Sequence, residues 1–163
     1  MVCLINHAGL SDAYMNDTKK STARFFADAG ISISWNEVVL DRTLNVLLTD
    51  VASSKVSCRT RKGGDAFGCG FVDEQSHRGS LAYLFIKIID KAESDAGMPL
   101  SGVLLPRFIA HEIGHLLGLP HTKGYEGIMR NDQNFTDPKK ILGVRWTKAE
   151  KGLLSDALLA TAE

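Results

Sequence analysis

The chain has no apolar stretch long enough to cross a bilayer. Its best run, Leu81 to Ile89, falls well short of the roughly 18 residues required and is broken by Lys87. No leader opens it either: Met1-Val-Cys-Leu-Ile-Asn-His has neither a basic n-region nor a long enough apolar h-region, so the expectation is a protein made without a signal or a trimmed mature form. Charge of one sign is also missing. With 19 Lys+Arg against 19 Asp+Glu the net charge is +0, which removes any bulk electrostatic case for nucleic acid or an anionic membrane as partner. Cysteine is scarce, at three residues, and no CxxC pair suggests a thiolate metal site or a disulfide scaffold. Cys3, among Val2, Leu4 and Ile5, reads as a small buried hydrophobe. Cys58 and Cys69 flank a glycine-rich loop, and two reduced thiols are expected there, a pair being the alternative for a protein outside the cytoplasm. No internal repeat or low-complexity linker marks a boundary, so residues 1–163 are expected to form one domain. An apolar share of 44% against 23% charged suits a globular chain of that size.

Local patterns outline the elements. Residues 2–6 read as a short strand. Ser11 and Asp12 offer a helix N-cap, and Tyr14, Thr18, Phe25 and Ala29, with Met15, Thr22 and Phe26 beside them, keep helical spacing up to a stop at Gly30. Ile31 to Trp35 alternates as a half-buried strand does, and Leu44–Thr49, Phe67–Val72 and Leu81–Ile89 are three more strand candidates. The polar segment 53–64, with Lys55, Arg59, Arg61 and Lys62, reads as a solvated loop, contact with an acidic partner being the alternative, and 90–102 as a connector. From Val103 to Leu117 the spacing is helical, with Pro106 tolerable in the first turn. Six Gly and Pro residues make 118–145 irregular, after which Thr147 and Glu150 form a capping box and Leu153, Leu154, Ala157 and Leu158 an apolar helix face. This order predicts an α+β fold, a twisted mixed β-sheet with helices on it.

The chemistry concentrates in His111-Glu-Ile-Gly-His-Leu-Leu-Gly-Leu-Pro-His121, which holds three of the five histidines. At this chain's own residue frequencies the pattern H-E-x-x-H-x-x-G-x-x-H would arise by chance roughly two times in a hundred thousand. Residues four apart on a helix are rotated by about 40° and separated by about 6 Å, so His111 and His115 project toward one point. Gly118 permits the conformation that ends the helix and Pro120 prevents its resumption, so the chain can turn and bring His121 back. Three nitrogen ligands and one open position are the donor set of a catalytic zinc ion. Glu112 lies about 100° round the helix from His111, near the metal without ligating it, where it can act as general base and then acid for a metal-activated water attacking a carbonyl.

This eleven-residue string, followed by Gly127-Ile128-Met129, resembles the metzincin clan of zinc endopeptidases, and the wider chain is similar to small bacterial members of that clan. The resemblance implies a sheet with a backing helix and an active-site helix in residues 1–118, and a small irregular subdomain ending in a helix in 119–163. It implies one catalytic zinc on His111, His115 and His121, with Met129 in the Met-turn beneath the metal. It also implies an edge strand that pairs antiparallel with an extended substrate, for which Leu81 to Ile86 is the candidate; an interior strand without substrate contact is the alternative. The S1′ pocket would be shaped by the end of the active-site helix and by the segment after Met129, including Asn131 to Phe135. The chain departs from the clan in places. Asn131 stands where some members carry a tyrosine ligand, Tyr125 reads as a surface residue with an approach to the metal or the oxyanion as the alternative, and Thr122 follows the third histidine where some archaeal relatives have cysteines. The expectation is that a latency mechanism is absent or lost with a trimmed segment, Cys3 does not suit a zinc-blocking thiol, and His7 and His77 read as ordinary polar residues.

The function expected is zinc-dependent hydrolysis of peptide bonds in a peptide or protein substrate, by a monomer. Two alternatives stand beside it: a module that keeps zinc and binds peptides without turnover, and a zinc hydrolase of other amides or esters. Clan members usually work outside the cytoplasm, so secretion or a periplasmic location is compatible with the resemblance, though no residue here encodes it.

Overall fold

β-branched and leucine-rich segments build the sheet. In the computed structural model, which describes residues 1–40, 43–50, 66–97, 102–122, 126–130 and 143–160, the strands are β1 (Val2–Asn6), β2 (Trp35–Asn36), β3 (Leu44–Thr49), β4 (Gly68–Val72) and β5 (Gly79–Phe85). They form one sheet in the order β2-β1-β3-β5-β4. The first four positions of that order are mutually parallel, with Val2 opposite Leu44 and Asn45 opposite Leu81. β4 runs antiparallel to β5, with Cys69 opposite Tyr83, and occupies the edge. The helices are α1 (Asp12–Ala27), α2 (Ile86–Asp95), α3 (Leu104–Leu116) and α4 (Lys148–Leu159). The mixed α+β architecture predicted from the sequence is the one found.

α1 starts as its cap residue dictates: the Ser11 side chain accepts from the Tyr14 N–H. Its buried stripe is Met15, Thr18, Thr22 and Phe26, and the chain leaves it through Gly30 at φ +77°. α1 packs on α3, and α3 in turn covers β3, β4 and β5. Twelve of the thirteen residues of α3 are buried, so this helix is the centre of the molecule rather than a surface amphipath. The last segment is tied to α1 by Trp146, whose ring lies 5.4 Å from that of Phe26, and by Arg145, which pairs with Asp28 at 3.2 Å. No helix among the described residues is long and apolar enough to cross a membrane.

Several expectations need correction. The run Leu81–Ile89 is a strand only to Phe85; Ile86 begins α2, whose buried residues Ile86, Ile89 and Glu93 follow helical spacing. The apolar run hides the change of period, and the helix extends through residues 90–95 of the supposed connector 90–102. Of Ile31–Trp35 only Trp35 joins the sheet, because β1 offers this flank just two partners, Val2 and Cys3. The apolar face of α4 is narrower than its sequence suggests: Leu154 is buried but Leu153 is 43% exposed. Cys3 is buried and free, whereas Cys69 is disulfide-bonded, against the expectation of reduced thiols; Cys58 and the basic segment 53–64 lie outside the described residues.

The start of α3 depends on α2. Val103, the N-cap, supplies no side-chain hydrogen bond, and the Leu104 N–H donates instead to Glu93 Oε1 at 2.7 Å. Burial raises the Glu93 carboxyl above its ordinary range, so its acceptor oxygen matters more than its charge. Glu93→Ala is expected to cost about 1–3 kcal/mol in urea unfolding, the cost of a buried unsatisfied N–H, while Glu93→Gln should cost much less.

Candidate metal centre

α3 carries His111, Glu112 and His115, and its termination supplies the rest of the centre. Gly118 takes φ +94°, its N–H bonds the His115 carbonyl at 2.9 Å, and the Leu119 N–H bonds the Gly114 carbonyl at 2.9 Å. This six-to-one and five-to-two closure is a Schellman stop, and the positive φ is why glycine is needed. The turn carries His121 back toward the helix. The three Nε2 atoms lie 3.0 Å (His111–His115), 3.1 Å (His115–His121) and 3.3 Å (His111–His121) apart.

Two of these rings have a determined tautomer. His111 Nδ1 is 2.8 Å from the Ile128 carbonyl and His115 Nδ1 is 2.9 Å from the Leu119 carbonyl. A carbonyl can only accept, so each Nδ1 carries the proton and each Nε2 presents a bare lone pair. Burial pushes His111 down to about 3, helped by His115 beside it, and His115 down to about 4, so both rings stay neutral in mild acid. Lone pairs facing one another at these distances repel unless a cation sits among them. Tetrahedral nitrogen ligands at about 2.0–2.1 Å would stand about 3.3 Å apart, which the triangle matches within a few tenths of an ångström. The donor set therefore fits zinc. Burial falls from His111 (buried) through His115 to His121 (exposed), so the centre opens on the side of the third ring.

Glu112 is 4% exposed and faces β4. A Cβ on Gly68 would lie 3.0 Å from Glu112 Oε1, and one on Gly70 would lie 3.5 Å from Glu112 Oε2 and from His115 Cβ. Gly68 keeps β4 clear of Leu84, the Tyr83 carbonyl and the carboxylate, whereas a Cβ at Gly70 would make only ordinary contact. Glu112 Oε2 is buried and accepts no hydrogen bond among the described residues, an orphaned acceptor that a water or substrate N–H would satisfy. Burial alone pushes its carboxyl up to about 8.

Met129 is fully buried. Its sulfur occupies the place where any side chain on Gly114 would project, so the bare backbone of α3 rests directly on it. The Thr122 N–H bonds the Met129 carbonyl at 2.9 Å, linking the residue after the third histidine to this segment. The chain between His121 and α4 is irregular in its described parts, as expected, with one isolated bridge from Thr122 to Arg130. Tyr125 and Asn131–Phe135 lie outside the described residues. His7 and His77 stand apart from the histidine cluster.

The fold has close counterparts. A zinc-dependent peptidase from Methanocorpusculum labreanum (strain Z) superposes with a TM-score of 0.66 at 12% identity, over 94% of this chain and 100% of that one. Archaemetzincin from Methanopyrus kandleri superposes with a TM-score of 0.64 at 13% identity, over 97% and 94%. The chain has the fold of solved zinc-dependent peptidases. No protein-family model matches the sequence, and no curated protein does.

In that fold the expected substrate-pairing strand is misplaced. Leu81–Ile86 belongs largely to β5, which has β3 on one side and β4 on the other, so its backbone groups are already taken. Among the described residues the edge strand beside α3 is β4. Sequence reasoning also gave Glu150 only a capping role. Its carboxylate, besides closing the capping box, accepts from the Ile128 N–H at 3.2 Å and the Met129 N–H at 2.8 Å. The buried Arg107 was missed as well. It lies four residues before His111, and burial, with Arg130 nearby, lowers it to about 10. An arginine set inside the apolar run Leu104–Ala110, one helical turn before the first histidine, was the available signal.

These ionisations set how the metal-free protein responds to pH. Below about 6.5 the unfolded chain takes up two protons, at His111 and His115, that the folded chain does not, so stability falls as pH falls. Between about 4.5 and 8 the folded chain keeps a proton on Glu112 that the unfolded chain releases, so that group lowers stability as pH rises. Taken together, these three groups contribute a maximum near pH 6.5 with a decline of about 1 kcal/mol per pH unit on each side. Urea midpoints in the presence of a chelator, from pH 5 to 8, measure it; a profile flat across that range would contradict these ionisations.

Proposed function

We propose that this chain is a zinc-dependent endopeptidase of metzincin type, with His111, His115 and His121 as the zinc ligands, Glu112 as general base and acid, and Met129 as the Met-turn methionine under the site. The observation that carries the reading is the convergence of three imidazole Nε2 atoms within 3.3 Å of one another beside a buried, unsatisfied carboxylate oxygen. A structural zinc site is closed by four protein ligands and has no use for such a carboxylate. The likeness to two zinc-dependent peptidases supports the same reading.

When bound, zinc would lower the pKa of a water molecule and polarise the scissile carbonyl. Glu112 takes a proton from the attacking water at a carboxylate oxygen and delivers it to the leaving amine nitrogen. In the metal-free chain this carboxyl holds its proton at neutral pH; a neighbouring positive charge favours the ionised form that a base requires. The substrate would be a peptide or protein segment lying extended along β4, whose outer edge pairs with no strand among the described residues and whose glycines leave space above Glu112. We assign residues 1–118 to an upper subdomain and 119–163 to a lower one, and a monomer is sufficient because all the site residues come from one chain. With a net charge of +0, neither nucleic acid nor an anionic membrane is an expected partner.

Cleavage of a diverse peptide library is the direct test. Wild-type protein with zinc is expected to cut internal bonds, a chelator to abolish cutting, and added zinc to restore it. Glu112→Ala should retain zinc while losing activity by about 10²–10⁴-fold, the usual weight of a general base. Peptide capture without any cleavage by the zinc-loaded wild type would replace the enzyme with a binding module.

His115→Ala and His121→Ala probe the ligand set separately. Each should reduce zinc content measured by atomic emission to well below one per chain. Full zinc content in His121→Ala would remove the third ligand from the assignment.

A further inference from the structure

Glu150 sits at the start of α4, well past the histidine motif in sequence. It is 0% exposed. Its Oε2 accepts from the Thr147 N–H at 2.8 Å, which is the ordinary reach of a capping box. A cap needs no more than that. Oε1 instead accepts from the Met129 N–H at 2.8 Å, and Oε2 also accepts from the Ile128 N–H at 3.2 Å. Gly127 makes the approach possible: it takes φ +93°, and a Cβ there would run into the Glu150 carboxylate.

The N–H of Met129 and the C=O of Ile128 belong to one planar peptide group. Glu150 holds one end of that plane, and the other end receives the Nδ1–H of His111 at 2.8 Å. We infer that Glu150 is a positioning residue for the metal centre, acting through the Ile128–Met129 peptide to fix the tautomer and orientation of His111. The inference rests on the reading of the three histidines as zinc ligands. The arrangement is a carboxylate–histidine pair with one peptide inserted between its members. An anion on the amide side polarises the carbonyl on the other, so the link raises the basicity of His111 Nε2 as well as fixing the ring. Arg107, on α3 and close enough for the Glu150 charge to act on it, keeps that buried anion from standing uncompensated.

Glu150→Gln tests the link, because its amide must turn an N–H toward one of the backbone donors it now satisfies. Thr147→Ala serves as the comparison, since it removes the helix cap and leaves the Ile128 and Met129 bonds in place. Zinc affinity by chelator competition is expected to fall about 10–100-fold in Glu150→Gln and to stay near wild type in Thr147→Ala. ¹⁵N shifts of the metal-free proteins should show His111 protonated at Nδ1 in wild type and Thr147→Ala, and a mixture of tautomers in Glu150→Gln. A folded Glu150→Gln protein with wild-type zinc affinity overturns the inference, and so does wild-type His111 protonated at Nε2. Should Glu150→Gln not fold, amide exchange in the wild type decides: Ile128 and Met129 are expected to be protected although neither lies in a helix or strand, and exchange at open-loop rates overturns the link. A wild type that binds no zinc would end the metal reading alone, since tautomer and exchange are read without metal.

Discussion

Two hydrogen bonds from imidazole Nδ1–H groups to backbone carbonyls govern the rest of this structure. They commit His111 and His115 to one tautomer each and aim two lone pairs at a point that a third ring also reaches. The carbonyls come from outside the helix, one from Leu119 just past its stop and one from Ile128 beyond the third histidine. The geometry of the helix alone brings the rings near each other; the irregular chain after it gives them direction. This explains why so much of the molecule is spent on holding a short, loop-like segment still. Gly114 is bare so that α3 can rest on Met129, Gly127 is bare so that Glu150 can approach, and the bond from Thr122 to Met129 joins the two strings.

The edge of the sheet shows a similar economy. Gly68 and Gly70 put no side chain between β4 and Glu112, while Cys69 between them points the other way, into a disulfide. A carboxyl enclosed this tightly keeps its proton longer than a surface one, and its buried oxygen lacks a partner within the described chain. Both properties are costs in the resting protein, and sites of this kind are where such costs collect.

How far the sequence could be read depended on whether the determining contacts were local. The helix stop at Gly118, the caps at Ser11 and Thr147, and the i, i+4 pairing of His111 with His115 are written in residues a few positions apart, and all were legible. β3 was found residue for residue because Leu44–Thr49 is bounded on both sides by polar chain. The boundary inside Leu81–Ile89 was not legible, since a strand buried by neighbours and a helix buried by the same core both read as continuous apolar sequence. The choice of edge strand was not legible either: both β4 and β5 are short strands with apolar residues, and only the order of pairing across the sheet makes one of them interior. The second role of Glu150 belongs to the same class. A capping box announces where a helix begins, but nothing near residue 150 says that residues 128 and 129 will lie against it.

That dependence on a late residue has a consequence for how the protein is made. A nascent chain that has emerged only as far as residue 140 already holds all three histidines and Glu112, yet it lacks the carboxylate that grips the Ile128–Met129 peptide and the tryptophan that docks on Phe26. The centre therefore reaches its final geometry only after Trp146 and Glu150 have emerged, and a shorter nascent chain carries the motif without its finished form.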